Sequence, residues 1–216
     1  SMSGGSEKTT FYLSGSYNKT QAIVKPSDFQ RGTVLMSLKH NVSKKLSVET
    51  QLNVSTVRQE ATFSTDGSFL GSPTFSSSLM LPNNPIYNTN GSFYGLPSAS
   101  ATQPFAGILN QNIIANIYLN SNWQRTNQLV GNFKINYEIA KGLRYAGTFG
   151  MDYRLGQSDR YTDPRTPDGV GVRGRSSVNS NWNTNFITNH VLNYSTTLKD
   201  KHCLLYTSPS PRDRTR

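Results

Sequence analysis

The chain has 216 residues, of which 34% are hydrophobic, and a formal net charge of +10. That length suits a single domain, and the apolar share lies below the usual globular level. No continuous apolar run approaches the roughly 18 residues that a membrane helix needs, while many Tyr and Phe at regular spacing argue against a disordered chain.

Six strands can be placed from period-2 alternation. The first, Thr10 to Tyr17, sets Phe11, Leu13, Gly15 and Tyr17 against Tyr12, Ser14 and Ser16. The second, Thr33 to Val42, is the least regular. The third, Leu46 to Thr56, alternates Leu46, Val48, Thr50, Leu52, Val54 and Thr56 with Ser47, Glu49, Gln51, Asn53 and Ser55. The fourth, Asn127 to Ile139, carries Leu129, Gly131, Phe133, Ile135, Tyr137 and Ile139 on its apolar side. The fifth, Leu143 to Arg154, and the sixth, Trp182 to Tyr194, repeat the pattern, although Ile187 and Val191 interrupt the last.

The connections alternate in length. Ser43–Lys45, Ala140–Gly142 and Thr197–Lys201 are tight, whereas Asn18–Gly32, Arg58 to about Thr126, and Leu155–Asn181 are long. One fatty face, one wet face and this parity predict an antiparallel, up-and-down transmembrane β-barrel, present here as an open curved sheet of about six strands. Tight turns then mark the periplasmic rim, with Lys44, Lys45, Lys141 and Lys199, and long loops lie outside the cell. Within the longest loop, Phe63, Phe69, Phe75, Tyr87, Phe93, Tyr94 and Phe105 are scattered among Ser, Asn, Gly and Pro. There Phe105, Ile108, Leu109, Ile113 and Ile117 suggest a short helix.

Both ends need separate treatment. Ser1 to Thr10 has no apolar core of the signal-peptide kind. The stretch 203–216 resembles translated sequencing adapter and is expected to be an artefactual, unstructured tail, leaving 1–202 as the partial barrel domain. Setting it aside removes Cys203, the one cysteine, and with it any disulfide or thiol chemistry.

The segments Ser3–Tyr12, Ser14–Tyr17, Ala22–Val24, Ser27–Arg31, Leu81–Tyr87 with Asn90–Ser92, Gly131–Phe133, Gly142–Leu143, Gly150–Tyr153, and Leu192–Tyr194 with Lys201–His202 stand out in order. Together they resemble SusC/RagA-type TonB-dependent outer-membrane transporters. Their order and spacing span nearly all of residues 3–202. The resemblance implies early strands of a large plugged barrel of the roughly 22-strand kind, in the bacterial outer membrane. It implies import of glycans or peptides with a SusD-like surface lipoprotein and the TonB complex. The TonB box, plug and signal peptide are expected to lie outside this fragment.

Chemical motifs are weak. Gly169–Gly174 fits G-x-G-x-x-G, but Pro164 and Pro167 precede it and Arg175–Ser177 follow, so a loop is the expected reading. His40 and His190 lack partners at metal-ligand spacing, and Asp66–Gly67 is a turn signal without calcium ligands. No nucleophile elbow or acid–base pair is apparent, so no enzyme activity, cofactor or metal is expected. The basic residues form no single stripe, which disfavours nucleic acid.

Arg154, Arg160, Arg165, Arg173 and Arg175 gather around one outer loop, interleaved with Asp159, Asp163 and Asp168. Self-pairing is the plain reading, and contact with acidic sugar or lipopolysaccharide phosphate the sharper one. Trp123, Trp182, Tyr17 and Tyr153 fit an interfacial girdle in contact with outer-membrane lipid. Tyr87, Phe93, Tyr94, Trp123, Arg160, Arg165 and Arg173 are the candidates for touching substrate or lid. The rival reading is a soluble, secreted β-sandwich that binds carbohydrate or acts as an adhesin-like module, with the apolar faces sealed against a second sheet.

Overall fold

The computed structural model describes residues 1–60, 73–78, 80–96, 112–198 and 202–207. Among these residues eight strands make one antiparallel sheet: β1 (Met2–Gly5), β2 (Thr9–Gln21), β3 (Asp28–Asn41), β4 (Leu46–Glu60), β5 (Ser121–Ala140), β6 (Leu143–Thr162), β7 (Arg175–Leu198) and β8 (His202–Thr207). Order in the sheet follows order in the chain. Among the described residues β1 and β8 do not pair with each other, so the sheet stays open. Three short helices stand in the described parts of the loops: α1 (Pro73–Ser77), α2 (Ile113–Leu119) and α3 (Pro167–Val170).

All six expected strands are present and each is longer than the alternation alone marked, although β3 ends at Asn41, one residue short of the expected Val42. β4 continues four residues past Thr56 to Glu60, and β5 begins at Ser121 rather than Asn127. The link expected over Asn18–Gly32 contracts accordingly to residues 22–27, because Asn18–Gln21 and Asp28–Gly32 pair as strand. Two further strands appear. β1 is four exposed residues of Met, Ser and Gly, with no apolar alternation to reveal it. β8 corrects the expectation that 203–216 is unstructured throughout, since His202–Thr207 pairs with β7 from Leu198 back to Asn193. Unpaired N–H and C=O groups on the edge of β7 accept any following extended segment, whatever its side chains.

The tight turns follow from local chemistry. Between β5 and β6 only Lys141 and Gly142 intervene, and Gly142 has φ 81°. A Cβ there would strike the Ser195 carbonyl oxygen, so glycine is required on two counts. The adjoining register shifts between Glu138 and Ala140, where the strand irregularity adjusts the turn.

Among the described residues no second sheet covers the apolar side chains. Phe11, Phe133 and Phe149 are 40–43% exposed, and Phe186 and Trp182 exceed 70%. That arrangement overturns the sandwich, which would have buried these groups. The largest fully buried side chains among the described residues, Asn112, Thr166 and Ser76, belong to the loop segments instead. No helix among the described residues is long and apolar enough to cross a membrane.

Candidate functional site

Register converts the alternation into rows across the sheet. The lowest apolar row joins Leu46, Tyr137, Tyr145 and Leu192. The next joins Thr9, His40, Val48, Ile135, Gly147 and His190. Above it come Phe11, Leu38, Thr50, Phe133, Phe149 and Thr188, and then Leu13, Met36, Leu52, Gly131, Met151 and Phe186. Gly15, Val34, Val54, Leu129, Tyr153 and Thr184 follow, and the band ends at Tyr17, Gly32, Thr56, Asn127, Leu155 and Trp182. From Leu46 to Thr56 is about 34 Å of strand, which spans about 24 Å when tilted by roughly 45°. That matches the roughly 25 Å apolar band of an outer-membrane barrel.

Aromatics fringe the band at both ends. Tyr17, Tyr153 and Trp182 mark the long-loop side, as the sequence predicts. Tyr137, Tyr145 and Tyr194 mark the short-turn side, where sequence reading counted them only as apolar-face residues. The Tyr145 hydroxyl shares a 2.6 Å hydrogen bond with His190 Nδ1, and Thr9 Oγ1 shares one of 2.7 Å with His40 Nδ1. Hydroxyls thus satisfy both imidazoles near the band's lower edge.

The opposite face is polar. Lys39, Glu49 and Lys134 stand in one row, with Lys39 Nζ 3.2 Å from Glu49 Oε1. Gln128 Nε2 donates to Asp152 Oδ1 at 2.9 Å, and β7 presents Asn179, Asn181, Asn183, Asn185 and Asn189 at alternate positions. At the short-turn end a concavity of about 920 Å³ is lined by Lys8, Lys39, Lys45, Glu49, Glu138 and Arg144 among others.

Beyond the band the long loops build a folded cap around asparagines. Asn112 caps α2 by accepting the Ala115 N–H at 3.0 Å, and its Nδ2 donates to the carbonyls of Ile86 (2.8 Å) and Tyr94 (3.0 Å). Asn120 follows α2, and its Oδ1 accepts the Asp163 N–H at 2.8 Å. Asp163 in turn holds Arg165 through two side-chain bonds of 2.8 and 2.9 Å and one backbone bond of 2.8 Å. The Arg165 hydrogen bonds hold the Asp163 carboxyl below the usual carboxylate range, against the opposing effect of burial.

Two of the expected contact residues come together in this cap. Tyr87 stacks on Phe93 with ring centroids 5.3 Å apart, and Phe93 on Tyr118 at 6.3 Å. Tyr118, at 70% exposure, and Tyr87, at 50%, leave the stack open to solvent. Tyr118 was not among the expected residues; it lies on the helix anticipated near Ile113 and Ile117. Phe63, Phe69, Phe105, Ile108, Leu109, Asp66–Gly67 and Lys199 lie outside the described residues.

The other candidates go elsewhere. Tyr94 contributes backbone, its N–H donating to the Ile86 carbonyl at 3.0 Å. Arg160 sits within β6 opposite Asn122 and Ser177. Arg165 takes the self-paired role, and Arg173 occupies a turn at φ 58°. Trp123 leaves the loop group altogether and lies against Arg58 and Arg125. The glycine-rich stretch opens no helix, since α3 ends within it and β7 starts at Arg175. A phosphate cradle of the nucleotide type needs the reverse order.

No family model matches the chain. It is 26% identical to TonB-dependent receptor P26 of Formosa agariphila over 94% of its own length. It is 27% identical to TonB-dependent receptor P39 of the same organism over 93%. The chain spans only 19% and 18% of those two receptors. Among solved structures, the RagAB peptide transporter aligns over 94% of the chain and 22% of its own, with TM-score 0.67 and 19% identity. The RagAB peptide importer in its closed-closed state gives 0.65 at 18%. At such identities the structural likeness is one of fold. The chain matches a fragment of a SusC/RagA-type receptor. As part of such a receptor it sits in the bacterial outer membrane. The apolar band has the height and aromatic fringes of a lipid-facing barrel surface, with the polar face opposite it.

Proposed function

We propose that the chain forms wall and outer vestibule of a TonB-dependent importer. One observation carries this: a six-row apolar band, fringed by aromatics at both ends, on one face of a sheet whose other face is Asn-, Lys- and Glu-rich. Short turns then lie in the periplasm and the asparagine-built cap outside the cell. The fragment's contribution is shape and polarity, with no bond made or broken.

The cargo is a glycan or a peptide, taken up beneath a SusD-like surface lipoprotein and driven by the TonB complex through other parts of the parent protein. A solved relative in fold is described as a peptide importer, which supports a peptide in particular. The open stack of Tyr87, Phe93 and Tyr118 is the part that touches cargo or lid, because aromatic faces bind large apolar area at small entropic cost. Arg160 at the end of β6, with Arg165 and Arg173 in the third outer loop between β6 and β7, supply secondary contacts.

In the full-length parent, Tyr118→Ala and Tyr87→Ala should lower uptake at limiting cargo while leaving the amount of folded barrel in the outer membrane unchanged. Uptake that is the same at every cargo concentration would remove the stack from the pathway. Recovery of the parent in a detergent-free soluble fraction would defeat the importer reading itself.

A further inference from the structure

We infer that Arg58 and Arg125 form a clamp for the phosphate of an outer-leaflet lipid. The inference rests on the outer-membrane placement but concerns a surface separate from the stack of Tyr87, Phe93 and Tyr118. Arg58 of β4 and Arg125 of β5 are direct cross-strand partners on the apolar face, one row beyond Tyr17, Thr56 and Trp182. Lys19 and Gln30 extend the same row on β2 and β3, and Gln157 on β6. Like charges placed directly opposite each other destabilise a sheet; Glu60 offsets one of the two, which leaves the charge of Arg125 for a further anion.

Depth supplies the anion. Two residues of tilted strand put this row about 5 Å beyond the edge of the apolar band. That is the headgroup layer, roughly 5–7 Å thick on each side of the hydrocarbon. The guanidinium carbons of Arg58 and Arg125 stand 5.6 and 5.8 Å from the centre of the same Trp123 ring, which fixes both without consuming their N–H groups. Arg58 spends one edge on Glu60 at 2.8 Å, leaving further donors free on its planar fork. Arg125 has no carboxylate within ion-pair distance among the described residues. Glu60 and Asp159 flank Trp123 one row further out, and Asp28 stands beside Gln21 at that level. Cations therefore occupy the tier at the phosphates and carboxylates the tier above. A phosphate takes bidentate bonds from two such forks better than from ammonium groups.

The test uses the full-length parent, purified in detergent, with monophosphoryl lipid A as probe and native mass spectrometry as readout. The wild type should retain one more lipid than Arg58→Gln/Arg125→Gln, with about a tenfold weaker affinity in the double variant. Arg125→Lys should fall between them, and Lys44→Gln/Lys45→Gln at the opposite rim should match wild type. Heat-modifiable electrophoretic mobility verifies folding, and Arg125→Lys carries the test alone if the double variant does not fold. Equal retention by wild type and the arginine variants overturns the clamp, as does displacement of the lipid by millimolar inorganic phosphate, which would make it a free-anion site. A parent absent from the membrane fraction would instead sink the underlying placement.

Discussion

The side-chain oxygen of Asn120 accepts the backbone N–H of Asp163 at 2.8 Å, joining the last residue before β5 to the first after β6. Both residues are more than 90% buried. The bond closes the top of the β5–β6 hairpin beyond its final pair, Ser121 with Tyr161, and so connects two outer loops that enter the sheet on neighbouring strands. Asn120→Ala should strand the Asp163 amide at about 1–3 kcal/mol, whereas Asn120→Asp keeps the acceptor. Hydrogen exchange at the Asp163 amide in the intact parent should accelerate in the first variant and stay slow in the second. Equal exchange in all three proteins would mean that the loops are tied by something else.

Acid should release the same region. Asp163 is held below the ordinary carboxylate value chiefly by its hydrogen bonds to Arg165. A folded value below the unfolded one means that its contribution is complete above about pH 4 and fades as pH falls through the folded value. Proteolytic protection of residues 163–174 should therefore be level from neutral pH to about pH 5 and decline below about pH 4. Asp163→Asn should be less protected at neutral pH and lack that decline. The exposed Arg165 side chain keeps the effect modest.

Asn112 carries more of the cap than any aromatic. It satisfies one helix N–H and two carbonyls from a segment 18 to 26 residues away. Asn112→Ala removes all three at once: the buried Ala115 N–H loses its cap and the Tyr94 carbonyl its side-chain donor, while the Ile86 carbonyl keeps the Tyr94 N–H. We expect Tyr118 to lose its place beside Phe93, so uptake should fall at least as far as in Tyr118→Ala. Asn112→Asp retains the cap to Ala115 but cannot donate to Ile86 and Tyr94, and should give an intermediate loss.

What the sequence reveals is the part of each strand whose two sides meet different solvents. Leu46–Thr56 alternates because one side chain in two must be apolar there. Arg58 and Glu60 continue the same strand, but past the band both sides are wet, the alternation disappears and the strand becomes unreadable. The cap is hidden for a related reason. Asn112 and Asn120 stand in a stretch rich in Ser, Asn and Gly, where an asparagine that bridges loops looks like any solvated one. A faint signal existed: Asn immediately before Ile113–Ile114 is a helix N-cap pattern. The arginine clamp needs register, because residues 58 and 125 become neighbours only through pairing.

The two faces should also answer differently to the same substitution. Leu52 and Gln51 are consecutive on β4, and Leu52 lies midway up the apolar band beside Met36 and Gly131. Leu52→Arg in the full-length parent puts a guanidinium at mid-membrane depth, at a cost of about 2–4 kcal/mol, and should reduce the amount of heat-modifiable barrel in the outer membrane. Gln51→Arg on the other face joins Ser37 and Asn132 in a polar row and should change that amount little. Arg58 shows that this strand face accepts arginine once it clears the band. The cost at Leu52 is therefore a property of depth rather than of the strand, and equal losses at 51 and 52 would mean that both faces meet the same solvent.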